Sequence, residues 1–280
     1  MAPASLRIMR PLNCAMLGLA VLIGEFVSRP PTIPPFQTIF GFLTAFFICA
    51  YSMIVNDVYD VEVDRVNQPT RPIPSGKISV AGATRLSILL LVVGMTFSVL
   101  SLSPLAVAIA AGYAFLSWLY NYWAKKSGLP GNLIVASSLA IPFVYGGVVS
   151  GGSIFSSLLL AMAFTSFFCG VGREVVKGIA DVEGDAKRGI GSIARTRGAR
   201  GAAAAGAVFF ILAVLTSWLP LFLRLANVIY ILGVWIPDAV FILLAVSILR
   251  NSSPENSHRV KSRALIGMLA GLIVFIGGGL

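Results

Sequence analysis

Apolar stretches of membrane-spanning length recur from one end of this chain to the other, and no other feature restricts its fold so strongly. A helix crosses a hydrocarbon core roughly 30 Å thick with about 20 predominantly apolar residues. Apolar runs bounded by charges, Gly and Pro fall near residues 12–28, 36–56, 80–102, 104–123, 132–150, 155–176, 202–224, 227–249 and 262–280. They predict an all-α fold, a polytopic membrane bundle of about nine transmembrane helices, with residues 1–280 as a single integral-membrane domain. Ser103 and Pro104 mark either a short turn or a kink. A soluble domain of this size is excluded, because 57% of the residues are hydrophobic, 11% are charged and the mean hydropathy is +0.90.

The first run follows Arg7 and Arg10, as in a secretory signal, but it leads into Glu25, Arg29 and a Pro-rich turn rather than a small-residue cleavage site. It reads as the first spanning helix. Alternating the nine runs across the membrane puts 19 Lys and Arg on the side of the N-terminus and only Arg29 and Arg224 on the other. That asymmetry predicts a cytoplasmic N-terminus, cytoplasmic loops at 57–79 and 177–201, and a C-terminus outside. The net charge of +10 then follows from topology and anionic head groups, and nucleic-acid binding need not be invoked.

Cys14, Cys49 and Cys169 sit in apolar segments without metal or redox spacing and read as packing residues. His258, alone of its type, falls in a polar loop and reads as solvated. Asp238 follows Pro237 inside the eighth run, where a kink and a neighbouring polar group account for it.

The acidic residues carry the chemistry. Of eleven Asp and Glu, eight lie in two windows: Asp57, Asp60, Glu62 and Asp64, then Glu174, Asp181, Glu183 and Asp185. A carboxylate at a helix centre costs about 2.5–3.5 kcal/mol even on the lenient insertion scale, so these belong at cytoplasmic helix ends or in a polar cavity. If the second helix continues, Asp57, Asp60 and Asp64 share one face and Glu62 points away. If the sixth continues past Gly178, Glu174, Lys177, Asp181 and Asp185 form a second stripe. Like charges on one face repel unless a cation compensates them, and oxygen ligands without Cys or His favour Mg²⁺. Two such clusters facing each other would hold a metal-bridged diphosphate, with Arg71, Lys77, Lys125 and Lys126 as cations able to meet it. Salt bridges to Arg65, Lys177 or Arg188 are the plainer alternative, which leaves the one-face spacing and its repetition unexplained.

The run N-D-V-Y-D-V-E-V-D-R-V-N-Q-P-T-R-P-I-P-S-G at 56–76 resembles the first signature of the UbiA superfamily of intramembrane prenyltransferases, and R-E-V-V-K-G-I-A-D-V-E-G-D-A-K-R-G at 173–189 is similar to the second. The resemblance covers essentially the whole chain. It implies a bundle around a central cavity open to the membrane, in which Mg²⁺ and the Asp motifs hold the diphosphate of an isoprenyl donor. Carried over by motif, Asn56, Asp57, Asp60, Asp64, Asp181 and Asp185 are catalytic, the five Asp being metal ligands. Arg10, Asn13, Arg71, Lys77 and Lys125 or Lys126 are implied diphosphate contacts.

The second run most resembles the archaeal ether-lipid branch, which implies transfer of geranylgeranyl to the hydroxyl of geranylgeranylglyceryl phosphate. A phosphorylated acceptor would engage the cations around Arg173, Lys177, Lys187 and Arg188. The branch usually carries an acidic residue where this chain has Gly178, which leaves an aromatic acceptor such as 4-hydroxybenzoate as the alternative within the family. Outside it stand the CDP-alcohol phosphotransferases, whose acidic residues form one continuous run, and an ion-coupled transporter, for which Asp238 would be the intramembrane acid.

Overall fold

The computed structural model describes residues 3–28, 35–152, 156–187 and 189–279. In chain order the helices are α1 (Ala4–Met9), α2 (Pro11–Ser28), α3 (Pro35–Tyr59), α4 (Val61–Asn67), α5 (Val80–Leu100), α6 (Pro104–Tyr122), α7 (Leu129–Val149), α8 (Ser157–Ala180), α9 (Val182–Lys187), α10 (Ile193–Ser217), α11 (Leu219–Phe222), α12 (Val228–Gly233), α13 (Trp235–Arg250) and α14 (Pro254–Gly279), with a 3₁₀ turn at Ala124–Lys126. Among the described residues nine helical segments are long and apolar enough to cross a membrane. Large apolar side chains such as Leu12, Phe36, Leu232 and Ile266 are exposed on the protein surface, as a lipid-facing exterior requires. The protein is a multi-pass membrane protein.

Some boundaries differ from those read off the apolar runs. The last helix begins at Pro254, eight residues before the apolar run at 262, because Pro fits a first helical turn and solvated polar residues extend a helix out of the bilayer. His258 is therefore exposed on a helix, not in a loop. Ser103 lies in a turn: α5 stops at Leu100, Leu102 adopts φ 59°, and Pro104 opens α6. The eighth span breaks at Val234, which leaves Pro237 in the first turn of α13, where its missing N–H breaks no helical bond. Arg29 and Arg188 lie outside the described residues, as does the Lys187 side chain.

The chain forms two compact units: the described residues of Met1–Glu25, Pro30–Tyr122 and Tyr145–Ser153, and those of residues 26–29, Trp123–Val144 and Ile154–Leu280. In the first, α3 packs against α1, α5 and α6. Phe97 of α5 stacks on Phe47 of α3 at 5.8 Å, and Ser117 of α6 bonds Ser52 of α3 at 2.5 Å. In the second, α8 packs against α10 and α14, and α10 against α13. Helices gain no hydrophobic drive from leaving lipid for one another, so close backbone approach carries their association. Gly172 and Gly206 provide it. A Cβ on Gly172 would come within 2.8 Å of the Phe210 ring, and one on Gly206 within 2.6 Å of Val176. Ser257 of α14 donates to the Val176 carbonyl at 2.6 Å, tying the third helix to the same stretch of α8.

Candidate active site

Each unit carries one acidic cluster, and both are built alike. α3 ends at Tyr59, Asp60 takes φ −92° and ψ 4°, and α4 follows. α8 ends at Ala180, Asp181 takes φ −99° and ψ 8°, and α9 follows. At both junctions the backbone N–H four residues on, Asp64 or Asp185, bonds the junction aspartate's carbonyl at 2.8 Å. An aspartate at a junction, with a second one turn later, is thus the shared local device.

The break alters the one-face reading of the first cluster. Asp57 and Asp64 converge, because one nitrogen of Arg71, Nη1, lies 3.4 Å from Asp57 Oδ1 and 2.6 Å from Asp64 Oδ2. Asp60 instead meets Asn56, whose Nδ2 lies 3.3 Å from Asp60 Oδ2 and also donates to Asn121 Oδ1 at 3.0 Å. The non-helical ψ of Asp60 redirects the chain that follows it, so α4 and Asp64 do not continue the face of α3 as one helix. Asp57 and Asp64 are buried, at 3% and 5% exposure, so their charges depend on these partners rather than on water. Glu62 points away as expected and pairs with Arg65 at 2.9 Å on the surface.

Arg71 reaches the cluster because the Pro-rich segment after α4 folds back. Its amide bonds the Gln68 carbonyl, its carbonyl accepts from Ser75, and buried Pro72 and Ile73 anchor the turn. Arg10, at φ 52° between α1 and α2, sends Nη2 to Asp57 Oδ1 at 2.5 Å and Nη1 to Met53 Sδ at 3.5 Å. Lys77 and Asn13 are exposed, and neither makes an ion pair or hydrogen bond to the carboxylates among the described residues. Asn121, which orients Asn56, was not singled out from sequence. Its signal is a buried amide in the last turn of an apolar helix, held by its own Nδ2 bond to the Ser117 carbonyl at 2.9 Å.

In the second unit, α8 continues past Gly178 but ends at Ala180, so the expected stripe from Glu174 to Asp185 does not run along one continuous helix. Glu174 is also neutralised locally: Arg173 Nη1 lies 2.5 Å and Lys177 Nζ 3.2 Å from its two oxygens. These two cations, expected for a phosphorylated acceptor, are engaged by their own helix. Lys125 and Lys126 sit on the 3₁₀ turn, whose Lys126 carbonyl accepts from Gly191 N at 3.0 Å. That bond holds the dibasic turn against the segment after Asp185. Gly128, at φ 73°, permits it, since a Cβ there would collide with the Gly191 carbonyl. Gly178 has room: a Cβ would meet only Ser192 Cβ, at 3.7 Å.

Among the described residues no three His, Cys, Asp or Glu side chains converge as a ready-made metal cage. The donor set nevertheless fits Mg²⁺, which takes one or two carboxylates and completes its shell with water and phosphate oxygens. In the first unit a single cationic nitrogen already contacts two hard carboxylate oxygens.

A family model described as the UbiA prenyltransferase family matches residues 17–272. The chain is 38% identical over 267 residues to a digeranylgeranylglyceryl phosphate synthase of Archaeoglobus fulgidus, covering 94% of this chain and 90% of that one. Its fold resembles a solved structure described as digeranylgeranylglyceryl phosphate synthase in membranes, with TM-score 0.89, 31% identity, and 99% and 97% of the two chains covered. It also resembles, with TM-score 0.70 at 19% identity and 97% and 99% coverage, a UbiA homologue from Archaeoglobus fulgidus bound to GPP and Mg²⁺.

Proposed function

The chain belongs to the UbiA prenyltransferase family and is a prenyltransferase, and from that premise we propose that it transfers geranylgeranyl from its diphosphate to the hydroxyl of geranylgeranylglyceryl phosphate. The observation that carries the acceptor assignment is the 38% identity to the Archaeoglobus fulgidus synthase across nearly the full length of both chains. The proposed setting is the cell membrane, with the N-terminus and both acidic clusters cytoplasmic and the C-terminus outside, supported by the Lys and Arg asymmetry. Residues 1–280 are proposed to serve as a single integral-membrane prenyltransferase domain.

Asn56, Asp57, Asp60, Asp64, Asp181 and Asp185 form the catalytic set, and the five aspartates are the proposed ligands of Mg²⁺. When bound, the metal supplies Lewis-acid compensation for charge developing on the leaving diphosphate. Asn56 keeps Asp60 oriented through its bond, itself fixed by Asn121. Arg71 and Arg10, with Lys77, Lys125 and Lys126, supply cationic donors to phosphate oxygens, and guanidinium forks match that geometry. Arg173 and Lys177 serve the acceptor phosphate, each while also holding Glu174. The allylic C1–O bond breaks and its electron pair stays on the diphosphate. The acceptor oxygen then bonds C1 and loses its proton, giving an ether. Apolar surroundings keep water from capturing the cation.

An acceptor competition tests the assignment. Purified protein with Mg²⁺ and geranylgeranyl diphosphate is offered geranylgeranylglyceryl phosphate and 4-hydroxybenzoate together, and products are separated by mass. Ether-lipid product in large excess is expected. Turnover of the aromatic alone would overturn the acceptor and leave the family unaffected.

A further inference from the structure

Arg71 and Arg10 pair with two of the carboxylates proposed to hold Mg²⁺. Arg71 Nη1 lies 2.6 Å from Asp64 Oδ2 and 3.4 Å from Asp57 Oδ1, and Arg10 Nη2 lies 2.5 Å from Asp57 Oδ1. Mg²⁺ binds oxygen at about 2.0–2.1 Å, so an ion on these carboxylates would place two positive charges close to the guanidinium nitrogens that pair with them. We infer that the two arginines are the internal counter-ions of the first cluster without metal, and that Mg²⁺ and diphosphate bind together by moving these guanidiniums from carboxylate to phosphate.

Charge and burial give the reason. Asp57 and Asp64 are almost fully buried, so without a cation their ionised forms are costly, and the arginines stabilise them. A divalent ion arriving alone sets its charge against guanidiniums already paired with the same carboxylates. A diphosphate arriving with the ion gives those guanidiniums a fork-matched anion. Each ligand therefore raises the other's affinity, and linkage makes the effect reciprocal. The chain is built for such an exchange. Both arginine side chains are 31% exposed, unlike their buried partners. Arg71 stands on a Pro-anchored turn and Arg10 between two helices, so each can swing while α3 stays in place. Both residues are positioning groups for the metal before they are diphosphate contacts. The inference rests on the proposed metal-binding role of the cluster.

The test is a Mn²⁺ binding titration on the purified full chain, read by electron paramagnetic resonance, with and without inorganic pyrophosphate. Free Mn²⁺ is corrected for chelation in protein-free controls. In wild type, pyrophosphate is expected to tighten Mn²⁺ about 10- to 100-fold. Arg71→Gln is expected to tighten Mn²⁺ several-fold in the absence of pyrophosphate and to reduce the coupling to about threefold or less. A merely structural arginine gives the opposite sign, weaker Mn²⁺ in both conditions, and that result overturns the inference. Arg10→Gln relieves the same Asp57 and is expected to shift in the same direction, so the idea survives a poorly folding Arg71 variant. Equal Mn²⁺ affinity with and without pyrophosphate in wild type overturns the exchange while leaving the metal site standing. No Mn²⁺ bound under any condition overturns both.

Discussion

Asp238 separates a structural acid from a transport or catalytic one. It is 4% exposed and accepts from Ser217 Oγ at 2.9 and 3.2 Å and from Trp218 Nε1 at 2.7 Å, joining the start of α13 to the end of α10. Asp238→Ala removes the acceptor from two donors, but they suffer unequally. Ser217 Oγ also lies 2.7 Å from the Val214 carbonyl and redirects its hydrogen there. Trp218 Nε1 is left unpartnered. An orphaned donor costs about 1–3 kcal/mol, whereas the pairwise coupling of hydrogen-bonded partners inside membrane proteins averages only about 0.6 kcal/mol. Asp238→Ala should therefore destabilise by about 2 kcal/mol, and adding Trp218→Phe should recover roughly 1 kcal/mol of that. Unfolding in mixed micelles measures the three variants as a cycle, and prenyl transfer per folded molecule is assayed beside it. Turnover within about twofold of wild type is expected. A folded Asp238→Ala protein that loses activity more than tenfold would refute the purely structural role and give Asp238 a part in prenyl transfer.

Three further outcomes follow from the geometry. Glu62→Ala removes an exposed pair with Arg65 and should change stability by less than about 0.5 kcal/mol and turnover not at all, despite lying between Asp60 and Asp64; a large loss in a thermal-shift or turnover assay would show that the short helix α4 needs it. Gly178→Ala should stabilise by about 0.5–1 kcal/mol, since the added Cβ meets only Ser192 at 3.7 Å and glycine is a poor helix interior residue; a fall in the unfolding midpoint would refute a merely tolerated glycine there. Gly128→Ala should cost about 2 kcal/mol or more, from its positive φ and the collision with Gly191, and should weaken diphosphate binding by releasing the Lys125–Lys126 turn; unchanged inorganic pyrophosphate affinity would remove that turn from the site.

The helix count was legible because a bilayer permits few solutions. An apolar run of about 20 residues has to span, and charges have to gather at the ends. The aspartates were legible because carboxylates are rare in such a chain and their clustering demands a cation. What escaped the sequence depends on backbone choices at single residues. Nothing in the spacing of Asp57, Asp60 and Asp64 announces that Asp60 leaves helical geometry, nor that Asp181 does the same. The pairing of Asn56 with Asn121, 65 positions apart, depends on how α3 meets α6. Glu174 fell on the expected stripe yet is neutralised by Arg173 and Lys177, and a period of 3.6 residues does not distinguish a ligand from an ion-paired neighbour. The residues before 262 read as loop because they are polar, although Pro254 begins a helix there.

The most direct test of the central claim is mass analysis of the product formed from geranylgeranyl diphosphate and geranylgeranylglyceryl phosphate by wild type, Asp57→Asn and Asp181→Asn, with Mg²⁺ and with chelator. The expected result is a doubly prenylated glyceryl phosphate from wild type with Mg²⁺, absent with chelator and reduced at least about 100-fold in both folded variants. Full product from either variant, or from wild type without a divalent ion, would contradict a metal-held diphosphate at these two clusters.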